Sequence, residues 1–303
     1  MDTIVEVEHL RKTYGSTVAV EDISFTVCAG ESFGIVGPNG AGKTTTIECI
    51  VGLRTPTAGV IRVLGMDPQR QSKALRQRLG VQLQQAALPD RIKVWEALDL
   101  FASFYDQPAD PAALLKQWGL EEKRNSAFAT LSGGQKQRLF IALSLINNPA
   151  VVFLDELTTG LDPQARRATW ELISDIRRRG TTVILVTHFM EEAERLCDRL
   201  AIIDHGRLIA LDTPQRLIAS LDQETCVRFT LPKEINLAML EQLPHVSRVL
   251  RQGDEVAVYG SGPVMAQVAG VLASHDIVPA DLRSQQATLE DVFLKLTGHA
   301  MRE

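Results

Sequence analysis

The feature that most restricts what this chain can fold into is the run Gly37-Pro38-Asn39-Gly40-Ala41-Gly42-Lys43-Thr44-Thr45, with the spacing G-x-x-x-x-G-K-T. A backbone that turns sharply and brings its N–H groups to phosphate oxygens needs glycine at fixed points. A helix starting directly afterwards adds its positive end at the same place. Both flanks supply that context. Ser32-Phe33-Gly34-Ile35-Val36 is a short apolar run suited to a buried strand, and Thr45-Thr46-Ile47-Glu48-Cys49-Ile50-Val51 suits a helix start. In such a loop Lys43 reaches the β- and γ-phosphates of a nucleotide and the Thr44 hydroxyl ligates Mg²⁺.

The rest of the chain alternates strand and helix signals. Ile4 to Leu10 alternates as a half-buried strand; Val18 to Val20 and Ile23 to Val27 read as further strands, with Tyr14 in the loop before them. An aromatic there is open to two readings, a stacking platform for a purine base or a packed surface tyrosine. Val60 to Val63 reads as a strand, Arg70 to Leu79 as a short basic helix, and Gly80 to Gln85 as a strand entering a polar loop. Val94 to Tyr105 and Ala112 to Trp118 are amphipathic helical stretches in a block ending near Pro149. Within it, Leu131-Ser132-Gly133-Gly134-Gln135 opens a helix to Ile146, with a hydroxyl and close-approach N–H groups that form a small anion site. Val151 to Glu156 reads as a buried strand ending in two acids, Asp155 and Glu156, as expected of an Mg²⁺-supporting strand. Pro163 opens a helix to Arg178, and Thr182 to Val186 is another fully apolar strand, ending at Thr187-His188. Uniformly apolar strands between helices predict a mostly parallel sheet covered on both faces. Ligands of such sheets bind beyond the strand C-termini, where Gly37, Asp155, Glu156 and His188 all fall.

Composition narrows the alternatives. The chain has 303 residues, 45% hydrophobic and 23% charged, enough for a core and for one large domain or two ordinary ones. A net charge of −5 gives no reason to expect nucleic acid as a partner. The four cysteines are scattered, which argues against a zinc site or disulfide framework and suits buried thiols in a reducing cytosol. No apolar run approaches the roughly 20 residues that cross a bilayer, and the N-terminus lacks a signal-peptide core. The chain is expected to be soluble, with any membrane part supplied by another chain.

These residues together resemble the ATP-binding subunits of ABC transporters, over about residues 3–220. In that resemblance Gly37 to Thr45 is the Walker A loop, Gln84 the Q-loop glutamine, and Leu131 to Gln135 the signature that separates this family from other phosphate-loop ATPases. Val151 to Asp155 is Walker B, Gly160-Leu161-Asp162 lies in the D-loop, His188 is the switch histidine, and Tyr14 takes the place of the adenine-stacking aromatic. Leu157 stands where the family usually has proline. The resemblance implies a phosphate-loop ATPase domain (residues 1–220) with a mixed, mostly parallel sheet, an antiparallel β subdomain and a helical subdomain at about 89–148. It implies ATP and Mg²⁺ as ligands, with Thr44, Gln84 and Asp155 around the metal and Glu156 and His188 as the catalytic pair. It also implies a homodimer docked head to tail, each ATP held between one phosphate loop and the partner's Ser132, Gly133, Gly134 and Gln135.

After residue 221 the order β-α-β-β-α-β predicts a small ferredoxin-like α+β module reaching residue 303, with an accessory, regulatory or dimerising role. Its strands are expected at Thr225 to Leu231, Val246 to Leu250, Val256 to Tyr259 and Ile277 to Arg283. Its helices are expected at Ile235 to Leu243 and Pro263 to Ser274. The closing Thr288 to Gly298 carries Leu289, Val292, Phe293 and Leu296 on one helical face, a stripe expected to be buried. It also resembles the tail of the daunorubicin-resistance subfamily of ABC-2-type exporters, with His299 where that subfamily has arginine. That implies a cytoplasmic ATPase, peripheral on the inner face of the cell membrane, serving a separate permease that exports a drug, antibiotic, lipid or similar compound. An importer ATPase is the nearest alternative. A chromosome-structure or repair ATPase would need coiled-coil arms that the stretch from Lys43 to Ser132 is too short to hold, and a translation-factor ATPase a second cassette.

Overall fold

The computed structural model describes residues 2–84, 86–221, 225–231, 237–275, 277–285 and 288–299. They divide into two compact units that part between Pro214 and Gln215.

The first unit is built on a nine-stranded sheet. Its strands are β1 (Thr3–Tyr14), β2 (Thr17–Cys28), β3 (Ser32–Val36), β4 (Ala58–Val63), β5 (Leu79–Gln82), β6 (Val151–Asp155), β7 (Thr182–Thr187), β8 (Arg199–Asp204) and β9 (Arg207–Asp212). They lie in the order β4-β1-β2-β9-β8-β3-β7-β6-β5. The half from β8 to β5 is parallel, and within it β3 is hydrogen-bonded to β7 on one side and β8 on the other. β1, β2 and β4 pair antiparallel and form the expected antiparallel part. The uniformly apolar runs account for this. Every residue of β3, β6 and β7 is buried, as a strand covered on both faces requires. Phe33 stacks on Phe25, and Phe153, Ile184 and Ile203 join Ile47 and Ile50 in one core.

The helices of this unit are α1 (Lys43–Ile50), α2 (Ser72–Arg76), α3 (Val94–Ala102), α4 (Pro111–Gln117), α5 (Gly133–Ser144), α6 (Pro163–Arg178) and α7 (Met190–Leu196), and α8 (Pro214–Ala219) starts at the boundary and runs into the second unit. α4 and α6 begin alike: Asp110 and Asp162 accept backbone N–H bonds as N-caps, and proline occupies the first turn. Three local expectations change. Val18 to Val27 is one continuous strand, not two. Tyr14 ends β1 instead of lying in a loop, because the bulged β1 stays paired with β2 up to the turn at Gly15. The basic helix expected over Arg70 to Leu79 is only α2, since Leu79 already pairs in β5.

The second unit carries β10 (Thr225–Thr230), α9 (Ala238–Glu241), β11 (Val246–Gln252), β12 (Glu255–Gly260), α10 (Val264–Ser274), β13 (Arg283–Gln285) and α11 (Leu289–Thr297). Its sheet has the order β11-β12-β10-β13, antiparallel throughout. That is the ferredoxin-like arrangement. Val227, Phe229, Val256 and Val258 pack with Val264, Val268 and Leu272 of α10 in its core. The strand expected over Ile277 to Arg283 is confined to β13: Ile277 and Leu282 pack on the core from a loop, while Val278 is 86% exposed. Residues 232–236, where the helix expected from Ile235 begins, lie outside the described residues, as does Gln85. On α11, Leu289, Val292 and Phe293 are buried but Leu296 is 46% exposed, so the expected stripe is covered along only part of its length. Cys49, Cys197 and Cys226 are buried, and all four cysteines are free.

Candidate active site

The glycine-rich loop leaves the C-terminal end of β3 and enters α1. Gly42 has φ +99°, and a Cβ there would stand 2.4 Å from the Ala19 carbonyl; at Gly37 a Cβ would stand 2.0 Å from the Ile203 carbonyl. No side chain fits either position. The second brace is the β8–β9 hairpin, whose turn residue Gly206 donates its N–H to the Ala41 carbonyl at 3.0 Å. Sequence reasoning missed this hairpin. The signal was available: an apolar run from Leu200 to Ile203, the pair His205-Gly206, and a second apolar run.

Lys43 is 4% exposed. Its Nζ donates to the Gly37 carbonyl at 2.8 Å and the Pro38 carbonyl at 3.0 Å, and lies 3.8 Å from Glu156 Oε1. Burial pushes its pKa down, against the pull of Glu156 and Asp155. Thr44 Oγ1 donates to Asp155 Oδ2 at 3.2 Å across the β3–β6 interval. Asp155 ends β6 at 1% exposure, and its Oδ1 is buried with no hydrogen-bond partner. Burial pushes the Asp155 carboxyl up to about 6, with the Thr44 hydroxyl opposing the shift.

Glu156 follows in a left-handed conformation, φ 49°, with its N–H donating to the Val186 carbonyl of β7 at 2.9 Å. A non-glycine residue held there carries strain of order 1 kcal/mol, which aims its side chain away from the strand direction. Three groups meet its carboxylate. His188 Nδ1 lies 3.2 Å from Oε1, Gln84 Nε2 donates to Oε2 at 2.6 Å, and Lys43 makes the contact given above. Residues from β3, β5, β6 and β7 thus converge beyond the C-terminal ends of adjacent strands.

The remaining expected residues stand apart from this cluster. Tyr14 is 40% exposed, with Lys12 and Arg54 over its ring at 4.8 and 5.8 Å. Ser132 and Gln135 form a reciprocal capping box at the start of α5: Ser132 N–H donates to Gln135 Oε1 at 3.0 Å, and Gln135 N–H donates to Ser132 Oγ at 3.3 Å. Gly133 and Gly134 have no positive φ. A Cβ on either would meet only Leu161 or Ala165 at 3.9 Å, an ordinary contact. Nothing among the described residues requires glycine at these two positions.

This fold and this cluster define a phosphate-loop nucleotide hydrolase. Residues 20–159 match the family model described as ABC transporter. The chain is 40% identical to a Nod factor export ATP-binding protein I of Paraburkholderia xenovorans over 100% of this chain and 99% of that one. It is 39% identical to the protein of the same name in Ralstonia nicotianae, over 99% and 95%. A solved ATP-binding subunit of an ABC transporter superposes with a TM-score of 0.65 at 31% identity, covering 72% of this chain and 93% of that one. A bacterial ABC transporter cassette determined as a dimer superposes with a TM-score of 0.62 at 26% identity, covering 69% and 98%. The chain belongs to the ATP-binding proteins of ABC transporters, which are ATPases acting as dimers with a separate transmembrane component. No described helix is long and apolar enough to cross a membrane.

Proposed function

We propose that this chain powers an ABC-2-type export system. Two copies dock head to tail beneath a separate permease at the inner face of the cell membrane. The observation that carries the proposal is the meeting of Lys43, Gln84 and His188 on the single carboxylate of Glu156. The loop amides from Gly37 to Thr45 and the Lys43 ammonium bind the phosphates, and Tyr14 stacks on the adenine. Glu156 accepts a proton from the attacking water, and His188 orients the γ-phosphate.

The donor set suits Mg²⁺. Asp155 offers a buried carboxylate oxygen with no partner among the described residues, beside the Thr44 hydroxyl, and Mg²⁺ takes oxygen donors. Thr44, Asp155 and Gln84 would hold the ion, which neutralises phosphate charge when bound.

Gly133 and Gly134 support the head-to-tail arrangement. Their own chain leaves room for a Cβ, so close approach by a group outside the chain is the remaining reason for glycine. A groove of about 450 Å³, lined by Val51, Leu53, Val81, Leu83, Phe101 and Phe140, opens beside the Gln84 loop and offers the permease an apolar seat. The Nod factor export relatives, alike over the whole chain, favour export over import.

The composite site is tested by mixing subunits. Lys43→Ala and Ser132→Arg proteins should each be inactive alone. Mixed, they place both lesions in one site and leave the other intact, so ATPase activity should return. Full activity of Ser132→Arg alone, with no response to mixing at any ratio, would rule out sharing of the site between subunits.

A further inference from the structure

His188 reaches Glu156 from a two-residue connection, His188 and Phe189, between β7 and α7. α7 has seven residues, and Phe189 at its N-cap makes no side-chain capping bond. A helix this short has little stability of its own, so tertiary contacts must fix where the loop sits. These contacts come from α6 and from the end of β7. The Arg166 guanidinium lies 4.2 Å from the centre of the Phe189 ring. The Phe189 N–H donates to Thr187 Oγ1 at 2.9 Å. One turn beyond His188, Glu192 is fully buried, and its Oε1 accepts the indole N–H of Trp170 at 3.0 Å.

Glu192 is an expensive residue for mere packing. Burial pushes its carboxyl above the usual carboxylate range, opposed by the Thr187, Trp170 and Thr158 groups around it. Its Oε2 and the neighbouring Thr158 Oγ1 are both buried, and among the described residues neither makes a hydrogen bond of ordinary length. Thr158 lies on the segment that leads from Glu156 into α6, and Asp162 caps that helix. The imidazole and the carboxylate are therefore carried at the same end of the α6–α7 pair, which is tied by the buried Glu192–Trp170 hydrogen bond and by the exposed Arg195–Glu171 ion pair.

We propose that Glu192 is a positioning residue for ATP hydrolysis: its hydrogen bond to Trp170 fixes α7 on α6 and so holds the His188 imidazole against Glu156. This rests on the roles given to His188 and Glu156 above. The 3.2 Å contact between them tolerates little displacement, and a misplacement of ~1 Å at a reacting centre costs ~10²-fold in rate. The phosphate loop is braced separately, by Ala19, Ile203 and Gly206, so nucleotide affinity should not follow.

The test uses the full chain with MgATP, and calorimetric binding of MgADP as the second readout. Glu192→Ala should lower kcat by ~10–100-fold while the ADP Kd stays within about twofold. Glu192→Gln keeps the acceptor for Trp170 and should restore kcat to within about threefold of the parent. Trp170→Phe should reproduce the Glu192→Ala defect, and combining the two should add little further, as expected for partners in one contact. A parental kcat in Glu192→Ala would overturn the proposal, as would a defect that glutamine does not rescue or one matched by an equal loss of ADP affinity. If Glu192→Ala does not fold, Trp170→Phe decides: full turnover in that variant rejects the tie. His188→Ala in the same assay separates the two levels. An active His188→Ala sinks the roles assigned to the pair and this proposal with them, whereas an inactive His188→Ala beside an active Glu192→Ala sinks this proposal alone.

Discussion

Two of the buried aspartates, Asp155 in the first unit and Asp291 in the second, each stand beside a polar cluster, and the two are used in opposite ways. Asp291 of the C-terminal module has both oxygens engaged. Oδ1 accepts the Tyr259 hydroxyl at 2.6 Å and an Arg228 N–H at 3.3 Å, while Oδ2 accepts the Thr288 N–H and hydroxyl, each at 2.8 Å. It closes the capping box of α11 and fastens that helix to β10 and β12. Asp155 of the ATPase unit is as deeply buried, yet it holds one 3.2 Å bond from Thr44 and leaves Oδ1 unpartnered. A protein that can satisfy Asp291 completely has no general difficulty with buried carboxylates. Incomplete satisfaction at Asp155 marks a group kept for something that binds there.

The comparison can be broken from either side. The larger effect belongs to Asp291. Asp291→Ala leaves the Tyr259 hydroxyl without its acceptor, reduces Arg228 to its 3.9 Å contact with Glu255 and removes the α11 cap. Losing a buried charge-assisted hydrogen bond and a helix cap together costs about 3–5 kcal/mol. Calorimetry should therefore show a lower-melting transition for the C-terminal module, with ADP still binding the phosphate loop. An unchanged melting profile would mean that the cluster contributes nothing.

Asp155 should behave in the reverse sense, by a smaller amount. Its folded pKa, about 6, lies above the ordinary 3.8, so between these values the folded chain binds more protons than the unfolded one. Stability should fall as pH rises through that window; the penalty is absent below the lower value and complete above the higher. A shift of about two units corresponds to at most about 3 kcal/mol. In metal-free buffer, Asp155→Asn should therefore lose less stability than the parent between pH 4 and pH 7. Parallel pH profiles for the two proteins would show that the carboxyl is not strained by burial.

How much of this was legible in the sequence depended on whether the physics was local. The strand read over Val151 to Glu156 is β6 but for its last residue: a strand buried on both faces needs an unbroken apolar run, and β6 ends at Asp155 because Glu156 turns into a left-handed conformation. The phosphate loop was equally plain, since its glycines answer local backbone demands. Tyr14 was misplaced because the pairing that extends β1 to the turn is a property of two strands together. The strand expected at Ile277 failed for a related reason: apolar alternation there serves loop side chains packing on a core, and only Arg283 to Gln285 find a partner strand. On α11 the stripe was read correctly as helical, but spacing could not say that cover stops before Leu296. The left-handed backbone at Glu156 and the Glu192–Trp170 bond left no mark in the sequence, because both arise only when distant segments meet.

The central claim is that the carboxylate gathered at the end of β6 exists to activate water on a bound nucleotide. The most direct test measures nucleotide binding and steady-state hydrolysis together in Glu156→Gln. The substitution keeps the shape and the contacts to His188 and Gln84 possible, but removes the base. ATP binding should be retained, turnover should fall by ~10²–10⁴-fold, and ATP-bound dimer should accumulate on size exclusion. Hydrolysis near the parental rate would contradict the account.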